Sequence, residues 1–311
     1  MRLCCRRLSR AAAIALLAWI VAAHACALEL EVELLPAAEA RAQAARWHGL
    51  PLAHGQLVVT HAAQPDSLFL RLFEPRFFAY THIGIVAVED EGEPYVYDAN
   101  TRGWGSDGQR LWLEGGVRRL RFTEFAATLA HGALYGLPPG VDAERVVTAA
   151  RALYARKPDY DSRFDASDSS RVYCSEFVAL ALRAAGGGPI PLAPFATQPA
   201  VQRVLRALGV EVGQVVPVAV LVAPAPELAR FSKAGRLQQR EADVAIEYEL
   251  WRRFGADQRL GFLFSLDAGG LRYREPVASF VQAARALAQR LPPAEQGRAV
   301  AELALRWFAE P

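Results

Sequence analysis

Two residues of this 311-residue chain have the types and settings that nucleophilic catalysis needs, His82 and Cys174. Cys174 opens the run Tyr173-Cys174-Ser175-Glu176-Phe177-Val178, whose character places the thiol in the first turn of a helix. Unpaired backbone N–H groups and the positive end of the helix dipole favour a thiolate there. His82 begins Thr81-His82-Ile83-Gly84-Ile85-Val86, which reads as the start of a buried strand. An imidazolium beside such a thiol lowers thiols of this class from about 8.5 to as low as ~3–4 in the strongest pairs. The backbone N–H of Cys174, with a neighbouring donor, then supplies an oxyanion hole. Taken singly, a free cysteine is most often a small apolar core residue and a strand histidine a satisfied ring; their coincidence points to chemistry.

A third polar residue follows from hairpin geometry. Strands over residues 83–88 and 95–99 flank a polar segment, Glu89 to Pro94. A turn centred on Asp90 sets His82 directly opposite Asp98, on one face, with Cβ atoms about 5 Å apart. A carboxylate there holds one ring nitrogen and leaves the other for the thiol. A turn centred on Glu91 sets Asn100 opposite His82 instead and leaves Asp98 diagonal on the same face. Asp98 is the preferred partner.

Tyr160, Asp161 and Tyr173 are the candidate substrate-binding residues. Glu176 is read as favouring the helix dipole or pairing with Arg171, and Trp104 and Trp112 as a candidate apolar wall. His48, His54 and His61 form no His-Glu-x-x-His pattern, so no metal site is expected, nor any cofactor. The chain has no Gly-x-Ser-x-Gly elbow and no phosphate-binding loop, which argues against a serine hydrolase and an NTPase.

The compartment decides how a lone thiol is read. Arg2, Arg6, Arg7 and Arg10 precede an apolar run from Ala11 to Ala23, and Ala25-Cys26-Ala27 offers a small-x-small cleavage site, so residues 1–27 read as a secretory signal peptide. Cys4, Cys5 and Cys26 leave with it, and Cys174 remains without a disulfide partner. A cut before Cys26, giving a lipoprotein, is the less favoured alternative. A periplasmic or secreted location is expected, and no later stretch reaches the ~20 apolar residues of a membrane span. Subtracting the four leader arginines from the net charge of +2 leaves about −2, with no basic run, so no nucleic-acid partner is expected. An apolar content of 52% is ample for a core.

The elements that must position these residues read as follows. Residues 28–54 form a helical lead-in after a short extended piece, and a strand opens at Gly55. Ser67 caps a helix ending near Pro75. The hairpin strands are followed by a glycine-rich loop from Thr101 to Gly108, a strand from Gly116 to Phe122 and a helix from Thr123 to His131. Asp142 caps a helix running to Ala155, a polar loop from Asp159 to Ser170 leads to the cysteine helix, and Gly186-Gly187-Gly188-Pro189 stops it. The run Val215 to Val222 reads as a buried strand, after which the chain leaves the core at Pro224 to Ala229. Beyond Gly235 three helices are expected, at Arg236–Phe254, Val277–Leu291 and Ala294–Phe308.

At these residues the chain resembles the permuted papain-like amidases of the NlpC superfamily, YiiX/YaeF branch. The matching segments are Gly55-Gln56-Leu57-Val58-Val59, Thr81 to Val86, Tyr95-Val96-Tyr97-Asp98-Ala99, Tyr160-Asp161-x-x-Phe164 and Tyr173-Cys174-Ser175-Glu176, over roughly residues 52–228. Gln56 stands where the family usually has aspartate, and Asp98 where many members have glutamate. The resemblance implies an α+β, circularly permuted papain-like core, with an antiparallel sheet packed on the cysteine helix. It implies Cys174 as nucleophile, His82 as base and Asp98 as its orienting residue, acting on a peptide or amide, cell-wall derived by analogy. The organisation expected is a signal peptide (1–27), a lead-in (28–54), the catalytic domain (55–232) and a helical C-terminal extension (233–311). Two alternatives stand beside a cysteine hydrolase: a lipid esterase or acyltransferase of the lecithin:retinol acyltransferase-like type, and a binding module with an inert thiol.

Overall fold

The computed structural model describes residues 29–39, 47–61, 65–71, 74, 76–89, 92–106, 111–165, 168, 170–194, 214–254, 263–267 and 270–309. The leader, with its expected cleavage site, lies outside them. The architecture is α+β: a largely antiparallel sheet with several helices.

The described strands of the main sheet are β1 (Leu30–Leu34), β2 (Leu57–His61), β3 (His82–Val88), β4 (Pro94–Ser106), β5 (Leu111–Arg121), β6 (His131–Tyr135), β7 (Asp159–Tyr160), β8 (Arg171–Val172) and β11 (Glu227–Lys233). They lie in the order β1-β11-β6-β2-β3-β4-β5-β7-β8, antiparallel throughout except for the β7–β8 pair. Alternation explains the two-sided burial. Ile83, Ile85 and Ala87 join one hydrophobic cluster, whereas Val86, with Val58 on β2 and Val96 on β4, joins another. The larger cluster takes in α4 (Ala143–Arg156) and α5 (Cys174–Ala184). Asp142 caps α4 as expected, its side chain accepting the Arg145 N–H, and Lys157 closes it in the left-handed region at φ 52°.

The same cluster continues into the C-terminal helices α7 (Arg240–Phe254), α8 (Glu275–Ala288) and α9 (Pro293–Trp307), through Ile246, Leu250, Phe280 and Val300. The three helices begin and end close to their expected bounds. They pack on the core of the sheet rather than apart from it.

The lead-in follows expectation where it is described: its extended piece is β1, paired along its length with β11, a helix, α1 (Pro36–Glu39), comes after it, and the continuation expected over residues 40–46 lies outside the described residues. Several other elements depart from expectation, each for a local reason. Helix α2 (Pro65–Arg71) starts at its proline, whose missing N–H has no partner to lose in a first turn. Ser67 lies inside that helix, its hydroxyl 3.0 Å from that of Thr81. The glycine-rich segment after Thr101 continues β4 to Ser106, across a register shift between Thr101 and Gly103. The helix expected to reach His131 stops early as α3 (Phe122–Ala126), and His131 opens the buried strand β6.

The run expected as a strand from Val215 to Val222 divides at Pro217. Residues Gln214–Val215 (β10) pair with β9 (Ala193–Pro194), and Val218–Val222 form α6, because a residue without an N–H cannot serve a central ladder. The chain then enters the sheet as β11 instead of leaving the core. A hairpin of β12 (Phe264–Asp267) and β13 (Gly270–Tyr273) lies among the C-terminal helices.

Candidate active site

His82 is the first residue of β3 and Cys174 the first of α5, so the two meet where a strand and a helix begin. The register of β3 on β4 pairs Ile85 with Tyr97 and Val86 with Val96. Continued toward His82, it sets Gly84 opposite Asp98 and His82 opposite Asn100. The turn is therefore centred on Glu91, not on Asp90 as preferred from the sequence. The ring nonetheless finds the diagonal carboxylate: His82 Nε2 lies 2.6 Å from Asp98 Oδ2. Asn100 turns its side-chain oxygen to the N–H of Thr101, at 2.7 Å.

A diagonal reach works because Gly84 leaves the space between them open. A Cβ at Gly84 would stand 2.7 Å from Val96 Cγ1 and 3.3 Å from Asp98 Cβ. Asp98 is fully buried, and its carboxylate is held from the far side by Arg118, the residue opposite it on β5, through Nε to Oδ1 at 2.7 Å and Nη2 to Oδ2 at 2.9 Å. Burial alone would raise the Asp98 pKa, but the hydrogen bonds and charges of His82 and Arg118 outweigh it and hold the carboxyl below its ordinary range. An ionised carboxylate only accepts, so His82 Nε2–H donates to it. Arg118 was not singled out from the sequence. Its only signal is a basic residue in a sheet strand, whose cross-strand partner depends on a register that spacing does not supply.

The Cys174 thiol also lies close enough to act on the His82 ring, raising its pKa together with Asp98. With Nε2 committed to Asp98, Nδ1 is the nitrogen available to the thiol. Burial disfavours the imidazolium, yet the hydrogen bonds and charges of Asp98 and Cys174 prevail and lift the ring to about 9. Cys174 is a half-buried free cysteine, its Sγ 4.0 Å from the carbonyl oxygen of Thr81. Tyr173 is the N-cap in extended conformation, so the N–H groups of the first turn lack intrahelical partners.

The candidate substrate residues divide. Tyr160 is buried next to the site, and its hydroxyl is held in the neutral form by burial and then by the charges of Cys174 and Asp161. Tyr173 and Asp161 are also brought to the region, but their polar atoms are engaged within the protein. The Tyr173 oxygen accepts the Val216 N–H at 2.9 Å, and Asp161 accepts the N–H groups of Arg163, at 2.8 Å, and of Asp165. Both side chains are buried, with their polar atoms committed to these bonds. Gln56 likewise serves its own surroundings. It accepts from Ala53 N–H at 2.7 Å and donates to the Pro51 carbonyl at 3.0 Å, fixing the turn that leads into β2.

Glu176 is 1% exposed and forms no ion pair with Arg171; burial, then the charge of Asp161, pushes it up to about 8, so it is protonated at neutrality. The side chains of Trp104 and Trp112 lie outside the described residues. Among the described residues no three His, Cys, Asp or Glu side chains are grouped to hold a metal ion, and no helix is long and apolar enough to cross a membrane.

No known protein family and no curated protein matches the chain. Among solved structures, the chain is similar to the crystal structure of the metalloprotein YiiX from Escherichia coli O157:H7, with a TM-score of 0.43 and 18% identity. The match covers 58% of this chain and 96% of that one.

Proposed function

We propose that the chain is an exported cysteine hydrolase of permuted papain-like architecture that cleaves an amide through an acyl-enzyme on Cys174. The observation that carries this reading is the His82 ring held between Asp98 and a thiol at a helix N-terminus. The order of elements agrees with it, the histidine and carboxylate strands β3 and β4 preceding the cysteine helix α5.

The Cys174 thiolate attacks the amide carbonyl carbon, and the negative charge formed on oxygen is met by first-turn N–H groups. The imidazolium gives its proton to the leaving nitrogen as the C–N bond breaks, leaving a thioester and neutral His82. Water then attacks the thioester while His82 takes its proton. The C–S bond breaks, the carboxylic acid leaves, and the thiolate–imidazolium pair is restored. Asp98 holds the ring throughout, and Arg118 holds Asp98. The substrate class is a peptide or amino-acid amide, with cell-wall peptides first by analogy to the family the sequence resembles.

Iodoacetamide alkylation of the protein between pH 4 and pH 9, beside His82→Ala, tests this. A rate already at its plateau below pH 7, and displaced upward in pH by the substitution, is the expected outcome. A rate that rises only near pH 8.5 in both, as an ordinary thiol would show, overturns it. Turnover of a cleaved amide should fall by roughly 10²–10⁴-fold in His82→Ala.

A further inference from the structure

Helix α7 lies outside the segments that resemble a known family, yet it grips the chain that leads into His82. Residues 76–80 belong to no helix or strand, so no ladder fixes them. Arg71, on α2, is 1% exposed; its Nη1 lies 2.8 Å from Glu247 Oε2 on α7, and its Nη2 donates to the Ala79 carbonyl at 2.6 Å. The same guanidinium stands 5.0 Å over the Phe77 ring, which packs against Tyr248 and Trp251 of α7 at 5.2 and 5.8 Å. Arg240, at the start of α7, donates to the buried Tyr80 hydroxyl from Nη2 at 3.0 Å and Nε at 3.3 Å.

Thr81 comes next, its N–H bonded to the Thr60 carbonyl at 3.1 Å. Its own carbonyl is the group facing the Cys174 thiol, and its neighbour is His82. We infer that α7 is a positioning element of the site, in which Arg240 through Tyr80, and Glu247 through Arg71, hold residues 79 and 80 and so aim the His82 ring between Asp98 and Cys174.

Packing alone does not account for this arrangement. Buried ion pairs add little over well-packed apolar residues, because desolvation opposes their attraction. Here Arg71 and Arg240, beside their ion pairs with Glu247 and Glu241, also donate to one backbone carbonyl and one phenol in the irregular segment that enters the histidine strand. Reacting groups misplaced by about 1 Å lose on the order of 10²-fold in rate, so such a segment needs fixing from outside itself.

The catalytic meaning of this inference rests on the proposed function, but its geometry is read at His82. Histidine-labelled wild type, Tyr80→Phe, Arg240→Met and Val300→Ala are compared by NMR titration of the His82 ring and by melting. Tyr80→Phe keeps the ring and removes one hydroxyl, so it tests the inference even where Arg240→Met folds poorly. Val300→Ala weakens the core that α9 shares with α7, at a residue that makes none of these polar contacts.

The His82 midpoint should fall from about 9 toward the ordinary value of about 6.5 in Tyr80→Phe and Arg240→Met, and stay in place in Val300→Ala at a lower melting temperature. Unmoved midpoints in the two gripping variants, or an equal shift in Val300→Ala, overturn the inference. Failure of the hydrolase reading shows separately, as wild-type alkylation with no plateau below pH 7.

Discussion

Asp98 is a fully buried anion shared by two cations, His82 on one side and Arg118 on the other. Against burial, its hydrogen bond to the ring does most to keep the imidazolium protonated, and its charge adds to that. Asp98→Asn retains an acceptor for Nε2–H but removes the charge, so the His82 midpoint should drop from about 9, seen by NMR titration of the ring. In the wild type, amide turnover should hold through neutrality and decline above about pH 9, where the proton for the leaving nitrogen is lost; a pH–rate profile checks this.

Glu176 gives a prediction about stability. Its folded pKa of about 8 lies above the unfolded value of 4.5, so the protonated form stabilises the fold below about pH 4.5, and that contribution is lost as pH rises through about 8. Melting temperatures across pH 4–9 should therefore fall less with rising pH in Glu176→Gln than in the wild type.

Between strands, register decides which side chains meet. The sequence places a hairpin between residues 88 and 95 and puts His82, Asp98 and Asn100 on one face, but a turn shifted by one residue changes which of them is opposite which. The observed pairing makes Gly84 the residue facing Asp98 and gives it a packing reason to be glycine. Gly84→Ala would drive a methyl into Val96 and Asp98 and should destabilise the fold by about 1–3 kcal/mol, read by urea unfolding, while lowering the His82 midpoint.

Other elements show the same division. Asp142 and Lys157 bound α4 through local caps, and the aspartate cap was legible in the sequence. β6 was not, because His131-Gly132-Ala133-Leu134-Tyr135 carries no alternation and becomes a strand only between β2 and β11.

Across the whole molecule, sheet and C-terminal helices are joined by a buried polar network as well as by a common apolar core. His61 on β2 reaches Glu247 at 2.7 Å, and His131, its neighbour on β6, reaches Asp243 at 2.8 Å and Ser232 at 2.7 Å. Arg285 and Arg236 also face Asp243, at 2.8 and 3.6 Å. Burial, joined by the charges of His61 and Arg236, keeps the folded His131 below the ordinary histidine value despite Asp243, while Asp243 is held down at about 2. Both shifts act in the same direction. The unfolded chain binds the extra protons, so stability contributed by His131 falls as pH drops below about 6.5, and that of Asp243 as pH falls from its unfolded value of 3.8 through about 2. Acid unfolding monitored by far-UV circular dichroism should be one transition for sheet and tail together. His131→Gln should reduce its slope between pH 6.5 and pH 4.

Short-range rules, readable from the chain alone, account for the α+β class, the strand that starts at His82, the helix that starts at Cys174, the aspartate cap of α4 and the three C-terminal helices. Each follows from periodicity, caps and breakers within a few residues. Folding of the whole chain was needed to set the diagonal His82–Asp98 bond, the Arg118 support, the burial of Tyr173 and Asp161, and the grip of α7 on residues 77–80. Those depend on register and on contacts between segments as far apart as Tyr80 and Arg240, and a side chain's partner across such a distance is set by packing of the whole chain rather than by its neighbours in sequence.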